Sequence, residues 1–133
     1  METRPSETLQ IMQRFNRAFV QHDASLLDGL IAEDCVMESV EPAPDGTRYV
    51  GRNACLEFWR KLANNRDGAF TAEDFVAIDE HGIIRWRYRF GPGRSVRGVN
   101  VMRVRNGLIT EALGYVKSGD ASVVTAATKE QRS

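Results

Sequence analysis

The chain has 133 residues and a formal net charge of zero, from 18 basic and 18 acidic side chains. That length fits one domain, which buries about two thirds of its unfolded surface and needs no disulfide or metal staple. Balanced charge supplies no field toward nucleic acid or an anionic membrane, and no apolar run approaches the ~20 residues that span a bilayer.

The opening METRPSETLQ mixes polar and acidic residues, unlike a signal or transit peptide, so the expected setting is cytoplasmic. From Ser6 to Gln21 the residues Leu9, Met12, Phe15 and Phe19 recur at helical spacing, with Ser6 as the expected N-cap. His22-Asp23 breaks the run, and Asp23 caps a second short helix carrying Leu26, Leu27, Leu30 and Ile31. Cys35 to Val40 reads as a short strand. Glu41 to Gly51, with two prolines and two glycines, reads as a loop. Arg52 to Leu62 is a third helix with Cys55, Phe58, Trp59 and Leu62 on one stripe, stopped by Asn64 to Gly68. Cys35 and Cys55 have no metal-ligand spacing; they are expected as buried free thiols in preference to a disulfide.

Phe70 to Asp79 is a long strand, turned by Glu80-His81-Gly82 into a meander that runs from Ile83 to Val116. Asn106-Gly107 between alternating runs is a strong hairpin signal, because both positions tolerate positive φ. Beyond Lys117 the chain is small and polar, so the expectation is one domain over residues 1–117 and a flexible tail over 118–133. The order α-α-β-α-β-β-β-β indicates an α+β fold: a cone-shaped curved antiparallel sheet wrapped around three N-terminal helices.

Alternation assigns the faces of the meander. Ile84, Trp86, Tyr88 and Phe90 share the inner side; Arg85, Arg87 and Arg89 share the outer. In the next strand Gly98, Asn100, Met102 and Val104 face in, and in the last Thr110, Ala112, Gly114 and Val116 do. Ala112 and Gly114 are small, which leaves space that is either a ligand cavity or filled by Trp86 and Tyr88 as core. Asn100 is the one strongly polar residue expected on the inner face of a central strand. An amide buried without partners costs about 1–3 kcal/mol, so Asn100 either bonds a neighbouring side chain or meets a ligand oxygen.

The outer arginines, Arg85, Arg87, Arg89, Arg97, Arg103 and Arg105, read as a solvated face or a dimer interface with cross-strand partners such as Glu111. Nucleic-acid binding would want stacking aromatics beside them, and only Tyr115 and Phe75 are candidates. His22 and His81 are expected to be exposed. No H-x-E, HExxH, CxxC, G-x-S-x-G, P-loop or G-x-G-x-x-G spacing exists, so no metal and no cofactor is expected.

MQRFNRAFVQHDASLLDGLIAEDCVMES, the GRNACLEFW helix and the closing GVNVMRVRNGLITE together resemble the nuclear transport factor 2-like superfamily. The likeness spans about Leu9 to Lys117 and is greatest to the SnoaL-like group of polyketide cyclases and ketosteroid isomerase relatives. It implies a cone with a deep apolar pocket and a homodimer through the outer sheet face. It does not fix the function, because this fold hosts isomerases, dehydratases, hydrolases, cyclases and binders.

The site residues of those relatives are mostly absent. Where the resemblance implies an isomerase's Asp base stands Ser39; the positions of its tyrosines hold Phe15, Ile31 and Trp59; and Asn100 replaces its protonated Asp. A serine without a helper does not abstract a proton near pH 7. The His and Asp implied near the last strand of a SnoaL-type cyclase are replaced by Glu111-Ala112-Leu113 and Lys117. The internal Asp–Arg–Asp clamp of an epoxide hydrolase is missing because the arginines point outward. The remaining candidate acids are Glu38, Glu41 and Asp45.

Two readings stand. One is a binding protein for a lipophilic, carbonyl-bearing small molecule, walled by Phe15, Phe19, Met37, Trp59, Trp86, Tyr88, Met102, Ala112 and Gly114 and oriented by Ser39 and Asn100. The other is an isomerase-, cyclase- or hydrolase-type enzyme in which Asn100 polarises the substrate oxygen. Asn100 is the best catalytic candidate. Partners expected are the small molecule and a second copy of the chain, with no nucleic acid and no membrane.

Overall fold

The computed structural model describes residues 5–117. The tail expected beyond Lys117 lies outside the described residues. Helix α1 runs Pro5–Val20. It starts at Pro5, whose fixed φ suits a first helical turn, so Ser6 lies inside the helix and not ahead of it. Its Met12, Phe15, Ala18 and Phe19 are buried, as the helical spacing requires. His22 takes a positive φ, and Asp23 then caps a single 3-10 turn, Ala24–Leu27, accepting from the Ser25 N–H at 3.1 Å.

The second helix expected here is therefore one turn long, and two α-helices are present where three were expected. Leu30 and Ile31 are not in it. Ile31 opens strand β1, Ile31–Glu38. The expected loop also contains a strand, β2, Arg48–Val50, which pairs antiparallel with β1. Helix α2 follows, Arg52–Asn64, and then the long strands β3 (Gly68–Ile78), β4 (His81–Phe90), β5 (Ser95–Arg105) and β6 (Leu108–Val116).

The sheet order is β2-β1-β6-β5-β4-β3. Neighbours from β3 to β6 are antiparallel hairpins, but β1 lies parallel to β6. The sheet is thus mixed and not purely antiparallel. A parallel pair requires a crossover, and here the crossover is everything from β2 to β5. The helices pack against the inner face: α1 crosses β3, and α2 lies against β1.

The face assignment holds through β4 and most of β5. Ile84 and Trp86 are buried and Arg85 and Arg89 exposed; Met102 and Val104 are buried. Two bulges alter it elsewhere. In β6 the register steps between Arg103↔Glu111 and Val104↔Ile109, leaving Thr110 as the extra residue. Ile109 is consequently buried where Thr110 was expected, and the Thr110 hydroxyl instead donates to the Arg103 carbonyl at 3.3 Å. In β3 the register steps between Ala72 and Asp74, so Glu73 and Asp74 both reach solvent. Phe75 then turns inward onto the core and is not available for outer-face stacking.

Two glycines make room for the inner aromatics. A Cβ on Gly98 would sit 2.7 Å from the Trp86 ring, and one on Gly68 would fall within the Tyr88 phenol. Both strands therefore need glycine so that a large ring can lie flat across its neighbour.

Candidate functional site

The rim of the sheet where Gly68, Phe90, Ser95, Val116 and Ser39 meet carries the candidate site. An aromatic chain leads to it from the helices. Phe15 contacts Phe19 and Trp59 at centroid separations of 4.9 and 5.0 Å. Phe19 meets Phe70 at 5.8 Å, and Phe70 meets Trp86 at 5.5 Å and Tyr88 at 4.4 Å. Tyr88 stacks on Phe90 at 5.7 Å, with the Arg94 guanidinium 4.8 Å above the Phe90 ring.

These contacts divide the expected lining residues into two groups. Phe15, Phe19, Met37, Trp59, Met102 and Ala112 are buried as core. Trp86 is 8% exposed and forms the boundary. Tyr88, Asn100 and Gly114 are half-buried, as are Phe70 and Phe90, which sequence reasoning left out of the lining. Their signal was available: Phe70 pairs directly with Tyr88 across β3 and β4, and Phe90 shares the inner parity of Tyr88. The space expected at Gly114 is largely taken. A Cβ there would lie 3.2 Å from Val40 Cγ1 and 3.5 Å from Asn100 Oδ1.

Asn100 has a defined orientation. The Trp86 Nε1–H donates to its Oδ1 at 3.1 Å. An indole N–H can only donate, so the amide oxygen must face it and the amide NH2 must face away. That NH2 donates to no group among the described residues. Asn100 is thus half of each reading made from the sequence: its oxygen is satisfied by the core, and its donors are not.

Ser39 is buried, but its hydroxyl is occupied. It donates to the Glu41 carbonyl at 2.8 Å and accepts from the Thr47 N–H at 3.1 Å, pinning the turn between β1 and β2. The packing at that turn is tight, since a Cβ on Gly46 would overlap the Ser39 carbonyl. Tyr88 sits by the same rim. Burial first, and the Asp67 and Glu41 carboxylates second, hold its phenol above the ordinary value. Of the other candidate acids, Glu38 pairs with Arg48 at 2.7 Å, and Glu41 and Asp45 are exposed. His22 is half-buried and not exposed: its Nδ1 lies 2.9 Å from the Ala63 carbonyl, tying the end of α1 to the end of α2. His81 is exposed.

At the other end of the sheet Gly29, Ile31, Arg52, Leu56 and Leu108 line an open recess of about 260 Å³. The Arg52 Nε–H is held there by the Ile31 carbonyl at 2.9 Å. Nothing in the sequence pattern marked it, because its walls join the start of β1 to α2 across a parallel pairing. Among the described residues no three His, Cys, Asp or Glu side chains converge to hold a metal ion, and no helix is long and apolar enough to cross a membrane.

The outer face is organised differently. Glu73 bridges Arg97 at 2.8 Å and Arg87 at 3.6 Å, Asp74 lies 3.7 Å from Arg85, and Glu80 sits between Arg103 and Arg105 at 3.9 and 3.5 Å. The arginines' carboxylate partners are these three, while Glu111 is only a register neighbour of Arg103. The Arg97 hydrogen bond first, and the other arginines beside it, hold the Glu73 carboxyl below its ordinary value. Between the charged rows runs an apolar one, Val76, Ile83, Val101 and Leu113, in direct register across four strands.

The architecture has known counterparts. An NTF2-like protein of unknown function from Mesorhizobium loti is 47% identical, with a TM-score of 0.83 over 89% of this chain and 97% of that one. A ketosteroid isomerase-like protein from Kribbella flavida is 18% identical at TM-score 0.75, covering 87% of this chain and 82% of its own. A LEH-like epoxide hydrolase from M. tuberculosis is 17% identical at TM-score 0.70, covering 96% of each chain. The last two likenesses show the fold alone. No curated protein matches the sequence. The SnoaL-like domain family matches residues 12–112, which is most of the described chain. The protein belongs to the SnoaL-like family within the NTF2-like superfamily.

Proposed function

We propose that this protein binds a lipophilic, carbonyl-bearing small molecule at the Asn100 rim of the cone. The observation that carries this reading is the Trp86–Asn100 hydrogen bond, which leaves an oriented amide donor bonded to no other group among the described residues, with Trp86 joining it to the aromatic chain through Phe70. A carbonyl oxygen would take that donor, and Phe70, Tyr88 and Phe90 would cover the apolar body. Ser39 acts through the turn it pins and not as a ligand contact. Native mass spectrometry of freshly purified protein tests the reading. The wild type is expected to carry a co-purifying lipophilic mass, with affinity up to about tenfold weaker and occupancy correspondingly lower in Asn100→Leu, the loss that one hydrogen bond to a neutral ligand can account for. Equal occupancy in both, or none in either, contradicts it.

A second reading, an enzyme of the isomerase, cyclase or hydrolase type, is favoured by Tyr88, which shares the inner face with Asn100 and whose phenol is raised by burial first and by the Asp67 and Glu41 carboxylates second. Asn100 would polarise the substrate oxygen in it. Steroid double-bond migration is not expected in either case, since Ser39 stands at the base position with its hydroxyl engaged.

The outer face supports a homodimer, because an in-register apolar row flanked by alternating Arg and Glu is complementary to itself under a two-fold axis. Light scattering should give a dimer at micromolar concentration and a monomer for Val101→Glu; a monomeric wild type removes the claim. Two buried free thiols fit a reducing, cytoplasmic setting.

A further inference from the structure

Cys35 and Cys55 are twenty positions apart in sequence and on different elements, β1 and the first turn of α2. They nevertheless form one buried unit. Both are fully shielded from solvent. The Cys55 thiol points to the Cys35 carbonyl at 3.6 Å and to the Tyr49 carbonyl at 3.7 Å, which brings its sulfur against the backbone of Cys35. The backbone around them is fixed as well: the Cys35 carbonyl accepts the Gly51 N–H at 2.7 Å, and Cys55 N–H closes the first α2 turn onto the Gly51 carbonyl at 3.1 Å.

We propose that Cys35 and Cys55 are a latent dithiol that hydrogen peroxide converts to an intramolecular disulfide, locking α2 onto β1. The chemistry balances with hydrogen peroxide as the only co-reactant. One cysteine, as thiolate, attacks the peroxide oxygen to give a sulfenic acid and release hydroxide. The second thiol then gives up its proton and attacks the sulfenic sulfur, expelling hydroxide again. Overall two thiols and one peroxide give one disulfide and two waters; sulfur is oxidised and peroxide reduced.

Geometry determines how this pair behaves. With both cysteines buried and the Cys55 sulfur held at the Cys35 backbone, a sulfenic acid is resolved before a further oxidant can reach it, so sulfinic and sulfonic acids do not accumulate. Burial keeps both thiols protonated, raising Cys35 furthest. The reaction is therefore slow at neutral pH. It accelerates as pH rises or as α2 lifts from β1, because both supply thiolate. Once formed, the bond closes the segment holding β2 and the Ser39 turn, and restrains the unfolded chain. It also fixes Trp59, one turn beyond Cys55, against the Phe15 ring of α1.

The test is hydrogen peroxide treatment of the intact protein at neutral and at alkaline pH, with and without sub-denaturing urea, followed by alkylation under denaturing conditions and intact-mass analysis. The expected product is lighter by two hydrogen atoms, carries no alkyl group, and yields one linked pair of Cys35 and Cys55 peptides. Dithiothreitol reverses it, alkali and urea both speed its formation, and its thermal midpoint is several degrees above that of the reduced form. Cys55→Ser is expected to progress to the sulfinic acid at Cys35. Should that variant fail to fold, the wild-type masses decide alone. A mass gain from overoxidation in the wild type, a crosslink between chains, or two alkylated thiols after treatment in alkaline urea would each overturn the proposal.

Discussion

The two faces of β4 are built from adjacent residues yet depend on different physics. Ile84, Trp86 and Tyr88 point inward, and the two rings have shaped receptors: Trp86 lies over Gly98, Tyr88 over Gly68, and both touch Phe70. Arg85, Arg87 and Arg89 point outward and meet carboxylates or hydroxyls that are themselves half in water. The contacts of Ile84 and Trp86 are buried and close-packed, so a change of one methyl group is felt. Outer ion pairs are screened and exchange partners readily, so the loss of one is absorbed. Specificity of the fold is on the inside; the outside has latitude to evolve an interface.

Three perturbations probe the difference between the faces. The largest effect is expected from Gly98→Ala, whose new Cβ meets the Trp86 ring at 2.7 Å and the Tyr115 carbonyl at 2.4 Å. Overpacking against backbone should cost about 1–3 kcal/mol in urea unfolding. A neutral result would mean that Trp86 does not lie on Gly98.

Next comes pH. Burial raises both inner thiols above the ordinary 9.0. Below that value folded and unfolded chains are equally protonated, and the thiols cost nothing. Above it only the unfolded chain ionises, so stability should fall by up to about 1.4 kcal/mol per pH unit for each thiol. Cys35→Ala and Cys55→Ala should each flatten that slope, whatever their own stability. The smallest effect belongs to Glu73→Gln. Although its carboxyl is the hub for Arg87 and Arg97, it is exposed, and the unfolding midpoint should stay within experimental scatter at physiological salt. A large loss there would show that the outer network is structural.

Much of the fold is legible in the amino-acid sequence, and where legibility ends is informative. The meander is readable because hairpins are local: Asn106-Gly107 sets the last turn, and the Trp86/Arg87 alternation sets the faces. The first edge of the sheet is legible only in part. Cys35 to Glu38 of β1 reads as a strand, but its pairing with β6, more than seventy residues away, and the three-residue β2 leave no local trace. The bulges at Glu73 and Thr110 are equally silent, since one extra residue reverses parity without changing composition. At the site, Asn100 can be singled out from its face alone, but its orientation depends on where the Trp86 indole lies. Ser39 reads as a ligand group because a serine bonding its own turn and a serine facing a pocket look the same in sequence.

Trp86 holds the Asn100 oxygen and so turns the amide donors away from the core. Proton–nitrogen NMR of the indole region tests that arrangement most directly, with Trp86→Phe identifying the resonance among the protein's two tryptophans. The Trp86 Nε1–H is expected to exchange slowly with solvent and to shift in Asn100→Leu, while the Asn100 side-chain amide exchanges fast. A Trp86 indole proton that exchanges freely, or that is indifferent to the change at Asn100, contradicts it.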